Sequence, residues 1–177
     1  LAGSYRGVYY MLNSDDNEPL STYADWYHTN QNHGISAYSK GSVFVHQLGY
    51  IVGQENLDDI LLAYFDEWKF KHPTPNDFKR VAEEVTGMEL DWYFNQYIYS
   101  MNTIDYAITN VEKVKKETTI SFEKIGDFPM PLDVTVTLKD STVLNYNIPL
   151  FIMRANKTED SYFTNFTTLD DWAWVNP

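Results

Sequence analysis

The four histidines are the first candidates for chemistry, because an imidazole nitrogen can bind zinc or exchange a proton near neutral pH. They are His28, His33, His46 and His72. A zinc site on one helix needs two histidines four residues apart with a glutamate between them, and no pair here has that spacing. His46 lies in an apolar run typical of a hydrogen-bonded core histidine, and His72 is expected to cap the preceding helix end. The histidines therefore predict no metal site.

The chain also lacks the other common catalytic patterns. It has no cysteine, which excludes thiol nucleophiles, disulfides and Cys-ligated zinc. It has neither a G-x-S-x-G turn nor a glycine-rich phosphate loop. Glu83 and Glu84 are sequence neighbours, as are Asp58 and Asp59, so on a helix each pair diverges by about 100° and is expected to be solvated. Taken alone, the chain has no complete catalytic constellation.

One short string remains, Tyr38-Ser39-Lys40-Gly41, which comes directly before an apolar segment. The residue types alone favour a structural interpretation. In that interpretation Tyr38 packs under the start of a helix, Ser39 caps the helix, and Gly41 allows a close helix contact. A catalytic role for Tyr38 needs support from outside these four residues.

Helical patterns dominate the chain around this string. Residues 39–52 are apolar almost all round, as in a buried helix, and Gly53 is a suitable end. Asn56 is the expected N-cap of the next helix, which carries a clean amphipathic stripe. Residues 29–34 are dense in turn-forming side chains and are predicted to be a loop.

Two further helices follow. Thr74 is an expected N-cap, Pro75 takes the first helical position, Asp77 can complete a capping box, and Gly87 ends the helix. Residues 90–98 form a fourth, shorter helix. Four helices joined by short loops are predicted to pack as antiparallel neighbours.

Beyond residue 103 the hydrophobic period changes from 3.6 to 2, which predicts strands. Residues 139–142 form the expected turn between two of them. Residues 103–177 are therefore predicted to be all-β and to form a sandwich. That stretch is shorter than the roughly 100 residues typical of such a fold, so we expect a truncated sandwich.

Composition excludes several classes of protein. Thirteen basic against 25 acidic residues give a net charge of −12, which makes binding to a phosphate backbone improbable. No stretch approaches 18 consecutive apolar residues, so no transmembrane segment is expected. Asn156 and Asn165 match the glycosylation sequon, a triplet that is common by chance.

Tyr38-Ser39-Lys40-Gly41, followed by an apolar helix and Gly53, resembles the Y-x-K-G segment of the zinc aminopeptidases of the gluzincin M1 family. The resemblance covers roughly residues 20–177. Further stretches that fit it, in order, are YFDEWKFKHP at 64–73, NDF at 76–78, LDWYF at 90–94, DY at 105–106 and GDFPMPLDV at 126–134. The last of these looks like the bacterial branch of the family.

The resemblance implies removal of N-terminal residues from peptides. In this family a zinc ion is held by two His and a Glu, from an H-E-x-x-H helix and a following helix, and the Glu between the histidines is the general base. The tyrosine of Y-x-K-G donates a hydrogen bond to the tetrahedral oxyanion, a role that falls on Tyr38. The implied fold is α+β and multidomain: residues 1–102 are the C-terminal helical half of a thermolysin-like catalytic domain, and residues 103–177 an incomplete β-sandwich.

The chain departs from the family pattern because it lacks H-E-x-x-H, the third zinc ligand and the G-x-M-E-N-type motif for the substrate amine. In the family all three precede Y-x-K-G. We therefore expect a fragment that binds no zinc, hydrolyses nothing alone, and needs the missing N-terminal part of its own domain as a partner. The parent protein is expected to be a metalloaminopeptidase that takes peptide substrates, in the periplasm or secreted by analogy with the bacterial branch.

A non-catalytic binding module is the alternative from another class. Exposed tyrosine and tryptophan side chains form platforms for peptides or sugars, and an M1-like scaffold without zinc ligands could act by binding alone. An H-E-x-x-H motif encoded upstream of Leu1 distinguishes the enzyme from this module.

Overall fold

The computed structural model of the chain describes residues 1–14, 17–115 and 117–150. The chain divides into two compact units, of which the first is Leu1–Asn102 and the second begins at Thr103. The described residues mix helices with small antiparallel sheets, as the predicted α+β class requires. Within them, no helix combines the length and the apolar character that crossing a membrane demands.

The first unit is built from helices. In chain order they are α1 (Ala2–Leu12), a 3-10 turn (Ala24–Trp26), α2 (Asn30–Gly34), a π-helical segment (Ile35–Lys40), α3 (Gly41–Val52), α4 (Gln54–Trp68), α5 (Pro75–Thr86) and α6 (Asp91–Tyr99). The π-helical segment joins α2 to α3 without a break, since the backbone at Gly34 and at Gly41 is helical.

The sequence correctly predicted the ends of α5. The Asp77 carboxylate accepts hydrogen bonds from the backbone N–H and the hydroxyl of Thr74, at 2.8 and 2.7 Å, and Pro75 is the first helical residue. Gly87 ends the helix with φ +67, a left-handed conformation that glycine adopts without a steric penalty. Gly53 likewise ends α3 with a positive φ of +88.

Two predicted boundaries were wrong. Residues 29–34 are not a loop, because the Thr29 hydroxyl accepts a hydrogen bond from the backbone N–H of Asn32 at 3.1 Å and so caps α2. Asn56 does not begin α4, which starts at Gln54. Its side-chain amide instead donates to the carbonyl oxygen of Val52 at 2.7 Å, across the junction with α3.

Aromatic rings from α3 and α6 form the centre of the helical core. Phe44 stacks on Tyr93 at a centroid distance of 5.2 Å and meets Phe94 edge to face at 5.2 Å. The buried Tyr93 hydroxyl donates to the carbonyl oxygen of Phe44 at 2.7 Å, which satisfies the polar end of an otherwise apolar contact. Burial raises the pKa of Tyr93 well above its usual value, so the phenol stays neutral.

The second unit contains two antiparallel pairs of strands in its described part. β1 (Tyr106–Val114) pairs with β2 (Glu117–Lys124), and β3 (Leu132–Thr137) pairs with β4 (Val143–Ile148). The predicted turn is present: Ser141 donates to the carbonyl oxygen of Leu138 at 3.0 Å between β3 and β4. A sandwich remains a prediction. The sequons at Asn156 and Asn165 lie outside the described residues.

Close backbone contact holds the start of the second unit. Gly126 and Ile125 both donate to the carbonyl oxygen of Asp105, and Phe128 donates to that of Thr103 at 3.0 Å. A Cβ on Gly126 would overlap the carbonyl oxygen of Thr103 and lie 2.8 Å from the nitrogen of Asp105. This position therefore requires glycine for space rather than for an unusual φ.

Candidate active site around Tyr38

Tyr38 lies in the middle of the π-helical segment and is 82% exposed. The backbone N–H of Gly41 donates to the carbonyl oxygen of Ser36, five residues earlier, which is the hydrogen bond of a π-helix. Ser36 and Lys40, two residues to either side of Tyr38, are both buried. The segment thus turns its flanking side chains inward and presents the phenol to solvent.

Helix α1 packs directly on the π-helical segment. A Cβ on Gly7 would lie 2.8 Å from Ser39 Oγ and 3.1 Å from Ser39 Cβ, so only glycine permits this separation without a shift. One turn further along α1, the buried Met11 sulfur accepts a hydrogen bond from Ser36 Oγ at 3.6 Å. Two residues of the π-helical segment are therefore held by α1, on either side of Tyr38 in the sequence.

Lys40 anchors the end of the segment from the inside. Its ammonium donates a hydrogen bond of 2.9 Å to the backbone carbonyl oxygen of Glu18, and both residues are buried. Burial lowers the pKa of Lys40 to about 8, because the protein interior solvates an ammonium less well than water does.

Glu18 is fixed in turn by the start of α2. Its carboxylate accepts hydrogen bonds from the backbone N–H of His28, at 3.3 Å to each oxygen, and from the side-chain amide of the buried Asn32, at 3.3 Å. Glu18 therefore contacts residues on both sides of Tyr38, around the start of α2 and at the last residue of the π-helical segment. Nothing in the sequence singled out Glu18, and a buried acid next to Pro19 in a polar stretch carries no motif. Asn32 and Gly7 were likewise missed.

The packing interpretation of the Tyr38 string was wrong in each of its parts. Tyr38 is exposed rather than packed, and Ser39 lies inside a continuous helical run instead of capping a helix. A Cβ on Gly41 would meet its nearest neighbour, the carbonyl oxygen of Ser36, at 3.8 Å, which is ordinary contact distance. An exposed phenol on a braced turn is instead free to donate a hydrogen bond to a bound molecule.

All four histidines are exposed. His46 is exposed, and its Nδ1 lies 3.3 Å from the Tyr5 hydroxyl, so the predicted core position was wrong although the residue is hydrogen-bonded. The predicted capping role of His72 was also wrong. The backbone N–H groups of Lys69 and Lys71 bond the last carbonyl oxygens of α4, and His72 is exposed beyond them. His28 and His33 are both exposed.

The acidic pairs are only partly solvated. Asp58 and Asp59 are exposed, as predicted. Glu84 is exposed and pairs with Arg80 at 2.9 Å, but Glu83 accepts a hydrogen bond from the backbone N–H of Leu90 at 2.8 Å. That bond ties α5 to the start of α6, so the prediction of a purely solvated Glu83 was wrong.

The described residues do not form a zinc site. Nowhere in residues 1–14, 17–115 and 117–150 do three histidine, aspartate or glutamate side chains come together as a metal would require. Among the described residues, the polar ones fixed around Tyr38 are a lysine, two serines, an asparagine and a glutamate. A lysine ammonium and one already bonded carboxylate are not a zinc-binding set.

No curated protein and no solved structure matched the chain. A family match was found for the helical unit, and it spans α2 to α5 entirely, including the π-helical segment with Tyr38. Residues 11–97, just under half of the chain, match the peptidase family M1 domain, and this match supports an M1 family peptidase.

Proposed function

We propose that the chain supplies the C-terminal helical part of the catalytic domain of a zinc-dependent M1 aminopeptidase, in which Tyr38 stabilises the tetrahedral oxyanion. The observation that carries this proposal is the exposed phenol of Tyr38 on a turn braced by α1 and Glu18, inside the region that matches the M1 domain. Residues 103–177 are proposed to form a β-sandwich that follows the catalytic domain.

The chemistry assigned to Tyr38 is hydrogen-bond donation. Attack of water on a peptide carbonyl moves negative charge onto the carbonyl oxygen, and a phenol O–H aimed at that oxygen stabilises the charge as it develops. A donor already aimed at that oxygen typically contributes ~10²–10³ in rate, since it needs no reorientation during the reaction. A braced backbone and a solvent-facing side chain suit this task.

We assign zinc binding to the whole protein and not to this chain alone. In the family it polarises the water and the scissile carbonyl, and its ligands come from an H-E-x-x-H helix and a following helix that this chain lacks. We propose that the isolated chain is inactive and that the rest of the catalytic domain is its partner. A periplasmic or secreted location is proposed by analogy with the bacterial branch.

The test is Tyr38→Phe in the whole protein, with Tyr9→Phe as the matched control. Both tyrosines are largely exposed on helical segments, at 82% and 72%, but only Tyr38 is assigned to the site. We expect Tyr38→Phe to lower kcat on an aminoacyl substrate by ~10²-fold or more, with zinc content unchanged, and Tyr9→Phe to have no effect. A near-normal kcat for Tyr38→Phe would remove Tyr38 from the mechanism.

A peptide- or sugar-binding module without catalysis is the second candidate. It is favoured by Tyr23 and Trp26, which are 71% and 72% exposed and pack edge to face at 5.0 Å. Such a pair offers a ready stacking surface. An upstream H-E-x-x-H segment, with a glutamate about 20 residues beyond it, supports the enzyme, and a complete reading frame without that motif supports the module.

A further inference from the structure

Tyr38 projects outward from a π-helical turn, and such turns are rare within α-helical runs. Conversion of the turn to α-helix would change the hydrogen-bonding register and rotate the side chains on it. Contacts from outside the segment must therefore hold it. The described contacts are those of Ser36 and Ser39 with α1 and that of Lys40 with Glu18.

We infer that Lys40 is a positioning residue for Tyr38: its hydrogen bond to the Glu18 carbonyl oxygen holds the π-helical turn that presents the phenol. This inference rests on the proposed function of Tyr38 and adds a second residue to it. Lys40 itself cannot contact a substrate held by Tyr38, because its ammonium is buried and bonded on the inner side of the turn.

Glu18 makes this anchor specific, because it connects the last residue of the π-helical segment to the start of α2. Its backbone oxygen binds Lys40 at the end of the π-helical segment, and its carboxylate binds His28 and Asn32 at the start of α2. A shift of either end would break a hydrogen bond to a buried group, which is costly. The position of the turn is therefore coupled to that of α2.

The presence of a lysine at position 40 supports the inference that its hydrogen bond holds the turn in place. Removing an ammonium from water is expensive, and an unbranched apolar side chain of similar length, such as methionine, would fill the same space without that cost. What the ammonium adds is a hydrogen bond of fixed length and direction to one carbonyl oxygen. Packing alone gives no reason for a charged group at this position.

A double-mutant cycle in the whole protein tests the inference. The variants are Lys40→Met, Tyr38→Phe and both together, with Lys139→Met, an exposed lysine in the second unit, as the control. We expect Lys40→Met to lower kcat ~10–100-fold with little change in KM, since a displacement of about 1 Å can cost that much. In the Tyr38→Phe background the same change should cost less than about twofold, because Lys40 acts only through the phenol.

The outcomes separate the two proposals. Equal fold losses from Lys40→Met in both backgrounds would overturn the inference, since they indicate an effect independent of Tyr38. A normal kcat for Lys40→Met would overturn it as well. A normal kcat for Tyr38→Phe would instead overturn the proposed function, whatever Lys40→Met does.

A measurement that does not depend on activity completes the test. Amide hydrogen exchange across residues 35–41 should be faster in Lys40→Met than in the unchanged protein, while exchange in α5 stays the same. If Lys40→Met does not fold, Lys40→Arg and Asn32→Ala take its place in the same cycle. The first changes the group that bonds the Glu18 carbonyl oxygen, and the second removes the amide that bonds the Glu18 carboxylate. Unchanged exchange in residues 35–41 of these folded variants would contradict the inference.

Discussion

Gly7 of α1 lies so close to Ser39 of the π-helical segment that a methyl group on Gly7 would approach the Ser39 hydroxyl oxygen to 2.8 Å. Gly3, one helical turn earlier, has no atom within 4 Å of the same position. Of the two glycines of α1, only Gly7 therefore packs against the segment that carries Tyr38.

Replacement of these glycines by alanine should have opposite effects. Gly3→Ala is expected to raise the free energy of unfolding by about 0.4–1 kcal/mol, because alanine favours the helix and the site is open. Gly7→Ala must displace Ser39, an overpacking change that typically costs 1–3 kcal/mol, so it should destabilise. Urea unfolding of both variants measures the difference. Equal stabilisation by the two substitutions would show that α1 does not press on the π-helical segment.

The charge on Lys40 should make stability depend on pH in the alkaline range. Burial lowers its pKa from 10.5 to about 8, so between these values the unfolded chain binds more protons at this site than the folded chain does. The free energy of unfolding rises with pH wherever that holds. The destabilisation caused by the buried Lys40 ammonium is therefore complete below pH 8 and disappears as pH approaches 10.5. The free energy of unfolding of the unchanged protein, minus that of Lys40→Met, should increase by on the order of 2 kcal/mol between about pH 7.5 and pH 10.

Subtracting the two proteins' unfolding free energies at each pH removes the contribution of the groups whose protonation is the same in both. Lys139→Met, at an exposed turn, should show no such trend. A difference between the unchanged protein and Lys40→Met that stays constant over this range would argue against a buried ammonium.

Gly126→Ala should damage the second unit. The added Cβ would overlap the carbonyl oxygen of Thr103, and backbone atoms cannot rotate away as a side chain can. We expect a loss of about 1–3 kcal/mol or more in the free energy of unfolding. Asp127→Ala, at the exposed next residue, is the control and should change stability by less than about 0.5 kcal/mol. A neutral Gly126→Ala would mean that the loop at Thr103 moves easily.

Metal analysis tests whether the chain holds zinc by itself. After dialysis against buffer with a trace of zinc, we expect far less than one zinc per isolated chain, because its described residues offer no set of three ligands. The whole protein, treated identically, should retain one. One tightly held zinc per isolated chain would contradict the proposed division of the catalytic domain.

Local signals in the sequence predicted much of the helical fold. Thr74 and Asp77 begin α5 through hydrogen bonds of their own side chains, and Gly87 ends it because a residue without a Cβ adopts the left-handed conformation easily. Residue type was therefore enough to predict both ends. Residues 29–34 were predicted wrongly because asparagine, histidine and glycine favour turns in isolation. There the Thr29 cap and the buried Asn32 overrode propensity.

Of the residues in the candidate site, the sequence predicted a catalytic role only for Tyr38. Tyr38 belongs to a short motif, whereas Glu18 and Gly7 reach the same turn from 20 and 31 residues away in the sequence. Their roles depend on a carbonyl oxygen and on the absence of a Cβ, neither of which leaves a pattern in the sequence. His46 was misplaced for a related reason, since an apolar helix does not by itself reveal which of its positions faces the core.

The π-helical segment contains one residue more than an α-helix of the same span, because its i→i+5 hydrogen bond closes a turn one residue wider than the i→i+4 turn of an α-helix. Loss of a single residue from 35–40 would let the run from α2 to α3 close as an ordinary α-helix, and the two helices would keep nearly the same rotational relation. The same loss inside α3 would rotate the residues on one side of it by about 100°. Within this helical run, the segment that carries Tyr38 is therefore the place where a change of length should disturb the flanking helices least.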